Sequence, residues 1–438
     1  MERYIDIANA ACEAAMRAGA DCADVHLQQG ASRAIDLELG EVKNVDARSY
    51  RSVSVRAFSR GGCGWASASK LDEADARAAG ETAAALAKAA DPDPDFRDLP
   101  VGGPLVEIEG LWDEAVAALS LSDLLGYVTP EIEAVRAVAP DAIIGGGSGT
   151  WGGGSVYVSS KGTCVTQRGS GVSCSISAAV RRGDDVGSYW DGDYGRRMSD
   201  FSPAGIGKRA AEESLRLLGS RTAPPGVFPV LFSKECGRNV LMPLIYSANA
   251  EDVQRKRTWV VGKQGEQVAS QALTMIDDPF IPGGGGSSPA DGEGVPRKKL
   301  TVIDRGVLTT YLHNSYTAGK AGVENTAHST RGGISPTNCN PVIGDRTEAA
   351  LLKAMGTGLY INSGGLAVND TSGDFSQVVD TGYWVENGEI VYPVKETMIS
   401  GTYIDFLRAI EALSSDPRVE PGSVSPAVLV GMIRVVAR

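Results

Sequence analysis

Histidine is nearly absent from this chain. Its 438 residues contain three, His26, His313 and His328, and no two lie within five positions of each other. A zinc-hydrolase helix needs two imidazoles one turn apart with a glutamate as base, so that arrangement is excluded. Each histidine reads instead as an isolated polar side chain. The seven cysteines, Cys12, Cys22, Cys63, Cys164, Cys174, Cys236 and Cys339, are scattered too. None has the C-x-x-C spacing of zinc ribbons or dithiol redox centres, and an odd number of dispersed thiols fits a reducing compartment. Basic charge is in deficit: 42 Lys and Arg against 54 Asp and Glu give a net charge of −12. Such a surface repels phosphate backbones, which argues against nucleic acid as a partner. No apolar run reaches the ~18 residues of a bilayer span. The opening Met-Glu-Arg-Tyr-Ile-Asp lacks the basic-then-apolar pattern of a secretory leader. The expectation is a soluble cytoplasmic protein with no membrane partner. A G-x-S-x-G nucleophile elbow and a phosphate-binding P-loop are both missing, although Gly145–Gly149 and Gly283–Gly286 are glycine-rich.

What is abundant is glycine, with 54 residues among many short Val, Thr and Ser runs. That composition predicts strands, tight turns and bulges. Tyr4, Ile5, Ala8, Ala11, Cys12, Ala15 and Met16 recur at helical spacing over 3–18. Over 23–57 the period changes to apolar–polar alternation, the mark of half-buried antiparallel strands. An Ala-rich helix is expected at 71–90, a linker at 91–104, a helix at 122–139 interrupted at Pro130, strands over 142–190 and a helix at 203–218. Ala223-Pro224-Pro225-Gly226 marks a boundary. Beyond it come a helical segment at 233–250, short strands at 257–261, 299–304, 307–313, 358–363, 366–370, 377–386 and 389–394, a helix at 401–413 and a last strand near 427–437. Gly283–Ser288 reads as a mobile loop. The predicted class is α+β: an N-terminal α/β sandwich-like region with antiparallel sheets over 1–222 (sub-units about 1–95 and 105–222), and a mainly-β, barrel-like domain over 223–438.

Carboxylates cluster at Asp277-Asp278-Pro279, Asp291-Gly292-Glu293-Gly294 and Gly373-Asp374-Phe375-Ser376. Oxygen-rich groups of this kind suit Ca²⁺ or Mg²⁺, but acid–Gly and acid–Pro pairs are also ordinary turn chemistry. The residues alone therefore give a large acidic α+β protein without a visible catalytic centre.

An ordered series in the C-terminal half says more. Leu273-Thr274-Met275-Ile276-Asp277-Asp278-Pro279 is followed by Asp291-Gly292-Glu293-Gly294-Val295-Pro296. Leu312-His313-Asn314-Ser315-Tyr316-Thr317-Ala318-Gly319-Lys320 comes next. Then follow Gly373-Asp374-Phe375-Ser376, Val385-Glu386-Asn387-Gly388 and Pro393-Val394-Lys395-Glu396. In order and spacing this series resembles the TldD/PmbA family, and within it the TldE (PmbA)-like branch. TldD-type members resemble zinc metallopeptidases with H-E-x-x-x-H on a helix and a late cysteine ligand. The corresponding stretch here, Leu244-Ile245-Tyr246-Ser247-Ala248-Asn249-Ala250-Glu251-Asp252, has no histidine, and Ser423–Arg438 has no cysteine. The resemblance implies a non-catalytic TldE-like subunit of a TldD/TldE-type zinc metallopeptidase complex that cleaves unfolded or modified peptides. It implies no cofactor in this chain, zinc in a TldD-like partner, and a homodimer in isolation as a further option. It also implies that Asp277, Asp278, His313, Asn314, Lys320, Arg331, Asp374 and Ser376 line a substrate cleft or a subunit contact. The alternatives are a peptide or natural-product tailoring enzyme that reuses the scaffold, and a self-associating homodimeric binding protein.

Overall fold

The N-terminal half repeats one unit twice: a helix, three antiparallel strands and a second helix. The computed structural model of the chain describes residues 1–437. The first unit is α1 (Glu2–Arg17), β1 (Cys22–Glu38), β2 (Glu41–Ser59), β3 (Gly62–Ala68) and α2 (Glu73–Ala89). After a short helix α3 (Glu114–Ala118), the second is α4 (Leu121–Val138), β4 (Ile143–Ser159), β5 (Cys164–Arg182), β6 (Asp185–Gly195) and α5 (Ile206–Arg216). The two units share one six-stranded sheet, ordered β3-β2-β1-β4-β5-β6. They join where β1 and β4 pair antiparallel from Asp24 opposite Ser159 to Glu38 opposite Gly145.

Alternation along β1 and β2 explains how the helices sit. Ala23, Val25, Leu27, Val53, Val55 and Ala57 form one apolar face and bury against Ala8, Ala11, Ala15, Ala76, Ala83 and Ala87 of α1 and α2. Small side chains let these helices approach closely: a Cβ on Gly80 would lie 2.2 Å from the Ala11 carbonyl. Helix α4 starts at a capping box in which Ser120 and Asp123 bond each other's backbone N–H. It continues through Pro130, where sequence predicts a break. Pro130 and Gly126 four residues earlier are both exposed, so water can take the carbonyl that proline leaves without a donor.

The C-terminal half begins with β7 (Gly226–Phe232), α6 (Gly237–Ser247) and α7 (Ala250–Gln254). There follow β8 (Met275–Asp277), β9 (Leu300–Asp304), β10 (Val307–Leu308), α8 (Ser315–Ala321), β11 (Cys339–Pro341), α9 (Glu348–Met355), β12 (Gly358–Ser363) and β13 (Asp374–Val378). The remainder is β14 (Thr381–Glu386), β15 (Glu389–Pro393), β16 (Thr397–Thr402), α10 (Tyr403–Arg408), β17 (Ile410–Leu413), β18 (Arg418–Glu420), β19 (Ser423–Ser425) and β20 (Val428–Ala437). An eight-stranded sheet runs β13-β16-β20-β7-β12-β14-β15, with β17 also on β20, and a four-stranded sheet runs β10-β9-β8-β11. The class is α+β, as sequence predicts, but the large sheet does not close into a barrel. Its path ends at β13 and β15, and one core of Val230, Phe232, Leu241, Leu244, Tyr403 and Phe406 fills the space beside it.

Several predicted strands are irregular because side chains, not a ladder, hold them. Residues 257–261 are pinned by Thr258 Oγ1 to the Ser247 carbonyl (3.0 Å) and Trp259 Nε1 to Ser247 Oγ (2.9 Å). Residues 366–370 keep a single bridge, Val368 to Phe375. The predicted helix at 401–413 is α10 followed by β17. Gly283–Ser288 is not a loose loop: the N–H groups of Gly283, Gly285 and Gly286 donate to Glu109 O, Pro421 O and Asn338 Oδ1. Among the described residues no helix is long and apolar enough to cross a membrane.

Candidate functional site: a polar seam between the two halves

The face of β1 and β2 turned away from the helices carries Asp24, His26, Ser54 and Arg56, and the C-terminal half covers it. Asp24 stands directly opposite Arg56 in the β1–β2 ladder. Its Oδ2 accepts from Arg56 Nη2 at 2.6 Å, Nε at 3.2 Å and the Tyr157 hydroxyl at 3.3 Å. From the other half, Arg331 Nη2 donates to Asp24 Oδ1 at 2.7 Å and to the Ser54 carbonyl at 3.0 Å. Arg56 Nη2 also reaches Glu293 Oε1 at 3.1 Å, while Glu293 Oε2 accepts from Ser315 N–H at the start of α8. Trp65 lies under both guanidinium groups, 5.5 Å from Arg56 and 5.0 Å from Arg331. Asp24 is fully buried. Burial pushes its carboxyl up, but Arg56 and Arg331 more than offset this and hold it below the usual carboxylate value. Arg331 has a left-handed backbone, φ 68°, which orients its side chain across the seam at some conformational cost.

Behind the seam runs a second chain of polar groups. Asp277 Oδ1 accepts from Thr337 N–H at 2.7 Å, and its Oδ2 lies 3.2 Å from His328 Nε2. His328 Nδ1 lies 2.9 Å from Thr326 Oγ1, which also accepts from His313 N–H at 2.6 Å. His313 Nδ1 lies 3.2 Å from Thr317 Oγ1. The Asp277–His328–Thr326 order looks like a nucleophilic triad. All three are buried, and the Thr326 hydroxyl is spent on the His313 backbone, donating to its carbonyl at 3.1 Å. The chain braces the loops and offers no accessible nucleophile.

The expected site residues fall into two groups. Asp277 and His313 belong to the buried chain, Asn314 caps α8 by accepting from Thr317 N–H, and Arg331 crosses the seam. Lys320 pairs with Asp95 at 2.5 Å, joining α8 to the 91–104 segment. Asp278 forms a turn with Phe280 N–H and pairs with Lys299 at 2.9 Å. Asp374 and Ser376 are elsewhere: both are exposed on β13, the end strand of the large sheet, opposite Thr402 and Ser400. No hydrogen bond among the described residues joins their side chains to the seam. Sequence reasoning missed Asp24, His26 and Arg56, and singled out Glu293 only as part of an acidic turn. The alternation Ala23-Asp24-Val25-His26-Leu27 did place Asp24 and His26 on one face, but not what would cover it.

One cleft opens beside these groups and a second lies apart from them. The first runs between the sheet face and the 285–292 loop, as contiguous spaces of about 340 and 220 Å³ that share His26, Ser155, Gln167 and Ser288. The larger, about 580 Å³, separates β6 at Ser188, Tyr189 and Trp190 from Ser363, Asp380 and Lys395. It contains none of the expected site residues. Burial and the Arg331 guanidinium, opposed by Asp24, hold His26 down at about 4. Burial and Glu293 push Asp291 up to about 6, against backbone N–H bonds from Glu293 and Val295. The depressed His26 value has a pH consequence. The folded ring stays neutral while the unfolded one takes up a proton below its ordinary 6.5, so this stability is present above 6.5 and is lost as pH falls toward 4. His26→Gln should therefore lose about 1–2 kcal/mol less than the parent over that interval, read from unfolding midpoints at each end. Equal losses in both proteins would remove His26 as the cause.

No cluster of three or more His, Cys, Asp or Glu side chains suited to an ion occurs among the described residues. Burial pushes Cys12, Cys22, Cys174 and Cys236 up to about 12, so these remain neutral thiols.

Comparison with known proteins gives a consistent picture. Residues 225–437 match the PmbA/TldA metallopeptidase C-terminal domain, residues 119–218 its central domain and residues 23–90 its domain 1. The chain is 28% identical to the metalloprotease PmbA homolog of Haemophilus influenzae, over 94% of this chain and 92% of that one. A crystal structure from Thermotoga maritima, named for modulation of a DNA gyrase, superposes with a TM-score of 0.88 at 28% identity, over 99% of this chain and 100% of that one. TldE from Thermococcus kodakarensis shares the fold, with a TM-score of 0.88 at 22% identity, over 97% of this chain and 99% of that one.

Proposed function

The chain belongs to the PmbA/TldD metallopeptidase family, and from that membership we propose that it is the TldE-like, non-catalytic subunit of a two-chain metallopeptidase acting on unfolded or modified peptides in the cytoplasm. The zinc and the hydrolytic chemistry belong to a TldD-like partner. One observation carries this reading. On the stretch that the family resemblance aligns with the metal-binding helix, Leu244, Ile245, Ala248 and Ala250 are buried in the main core. Those positions do packing work, and the two carboxylates of the stretch, Glu251 and Asp252, have no histidine in it to complete a zinc site. A catalytic chain that lost its ligands would keep its whole architecture only if the architecture had another use. Walling a cleft against folded substrates and presenting strand edges to an extended chain is such a use, and it needs no catalytic group.

The pairing is tested by native mass spectrometry of the chain alone and mixed with an H-E-x-x-x-H relative from the same host. A one-to-one mixed complex is expected, with an interface above ~1,200 Å². Its absence, with each chain found only by itself or as a homodimer, would favour the self-associating reading instead.

A further inference from the structure

One cation beside the seam makes no direct ion pair. Arg297 Nε donates to Ser288 Oγ at 2.8 Å and Nη1 to the Ala327 carbonyl at 2.6 Å. Among the described residues it makes no ion pair, and its Nη2 makes no hydrogen bond. Asp291 and Asp277 are near enough to be felt, but the oxygens of Asp291 accept from the N–H groups of Glu293, Val295 and Ser329, and those of Asp277 are engaged by Thr337 and His328. An enclosed guanidinium without a direct ion pair is costly, because its desolvation is repaid fully only by a well-placed, hydrogen-bonded anion. At the other end of the same cleft Arg196 also lacks a carboxylate. It donates to Leu111 O at 3.4 Å and Gly285 O at 2.8 Å, lies 5.8 Å from the Trp151 ring, and has a buried Nε with no partner. Between the two arginines the floor is sheet, lined by Gln28, Tyr50, Ser155 and Gln167. Gly153 and Gly154 belong to it, and Tyr50 lies so close over Gly30 and Gly153 that a Cβ on either would meet its hydroxyl at 2.3 or 2.6 Å. The result is a trough with hydrogen-bonding side chains and, at each end, an arginine that makes no ion pair among the described residues, in a chain whose net charge is −12.

We infer that this trough binds an extended peptide through a carboxylate, which docks on the open edge of Arg297. Guanidinium matches a carboxylate in a planar, two-point fashion, and the two contiguous spaces together have the volume of a ligand site. The choice of a peptide rests on the metallopeptidase-subunit reading; the preference for a carboxylate does not.

The test is calorimetric titration of the full chain, without a partner, at low ionic strength. Three probes are used: acetyl-Gly-Ser-Gly-Ser with a free C-terminal carboxylate, the same peptide as its amide, and an amide in which one serine is replaced by aspartate. At least one carboxylate probe should bind about tenfold more tightly than the neutral amide, and the stronger of the two assigns the source as chain end or side chain. Arg297→Gln should abolish that preference. Because Arg297 also ties Ser288 to Ala327, Arg196→Gln, at the opposite end, serves as the second variant and should reduce the preference severalfold. Equal binding of all three probes, no binding up to about 10 mM, or a preference that survives the folded variants would overturn the proposal. Pairing with the TldD-like chain is measured separately, so either idea can fail without the other.

Discussion

Asp24→Ala is expected to remove about 3–5 kcal/mol of stability, the usual cost of stranding buried charge by deleting one partner. The carboxylate is fully buried and answers two guanidinium groups, one from each half of the molecule. Without it Glu293 is the one carboxylate paired with Arg56 among the described residues, and Arg331 is left with the Ser54 and residue-24 carbonyls and the Trp65 ring. The loss should appear as a lower denaturant midpoint. It should also appear as earlier exposure of the seam, because the two halves are joined there. Arg77→Ala provides the contrast, since its pair with Glu73 lies on the surface of α2 and such pairs contribute ~0–1 kcal/mol. The folded Asp24 carboxyl is held below its ordinary value of 3.8. Its contribution is therefore present above that pH and is lost as pH falls through the lower, folded value. If the parent and Asp24→Ala unfold at the same denaturant concentration near neutral pH, the seam does not hold the halves together.

The sequence disclosed the regular elements where local pattern decides them. The alanine spacing in α1 and α2 and the period-two runs of β1 and β2 are of that kind. They lie where expected, within about two residues. What the pattern could not disclose depends on partners distant in the chain. Residues 257–261 look strand-like, yet Ser247 and Asp370 hold them as turns. Gly283–Ser288 looks loose, yet Asn338, Pro421 and Glu109 fix it from three different segments. The join of the two N-terminal units through β1 and β4 pairs positions 135 residues apart at Asp24 and Ser159, and nothing local signals it. The seam was the least legible. Asp24 and Arg56 look like ordinary solvent-face residues of alternating strands until the C-terminal half covers them. Arg331 and Lys320 were identified through resemblance alone, and the structure supplies their partners in Asp24 and Asp95. The same resemblance put Asp374 and Ser376 with them, whereas β13 carries these two to the end of another sheet.

The central claim is that this chain completes a peptidase whose metal lies in another chain. Metal activation of water supplies several kcal/mol at the transition state, and neither the seam nor the buried Asp277–His328–Thr326 chain replaces it. Reconstitution measures this directly. The chain, a zinc-loaded H-E-x-x-x-H relative from the same host, and an unstructured fluorogenic peptide are combined, and each chain is also assayed alone. The expected result is no cleavage by this chain alone, slow cleavage by the relative alone, and a rate for the mixture higher by about a hundredfold or more. Cleavage by this chain without the relative, or full-rate cleavage by the relative without this chain, would contradict it.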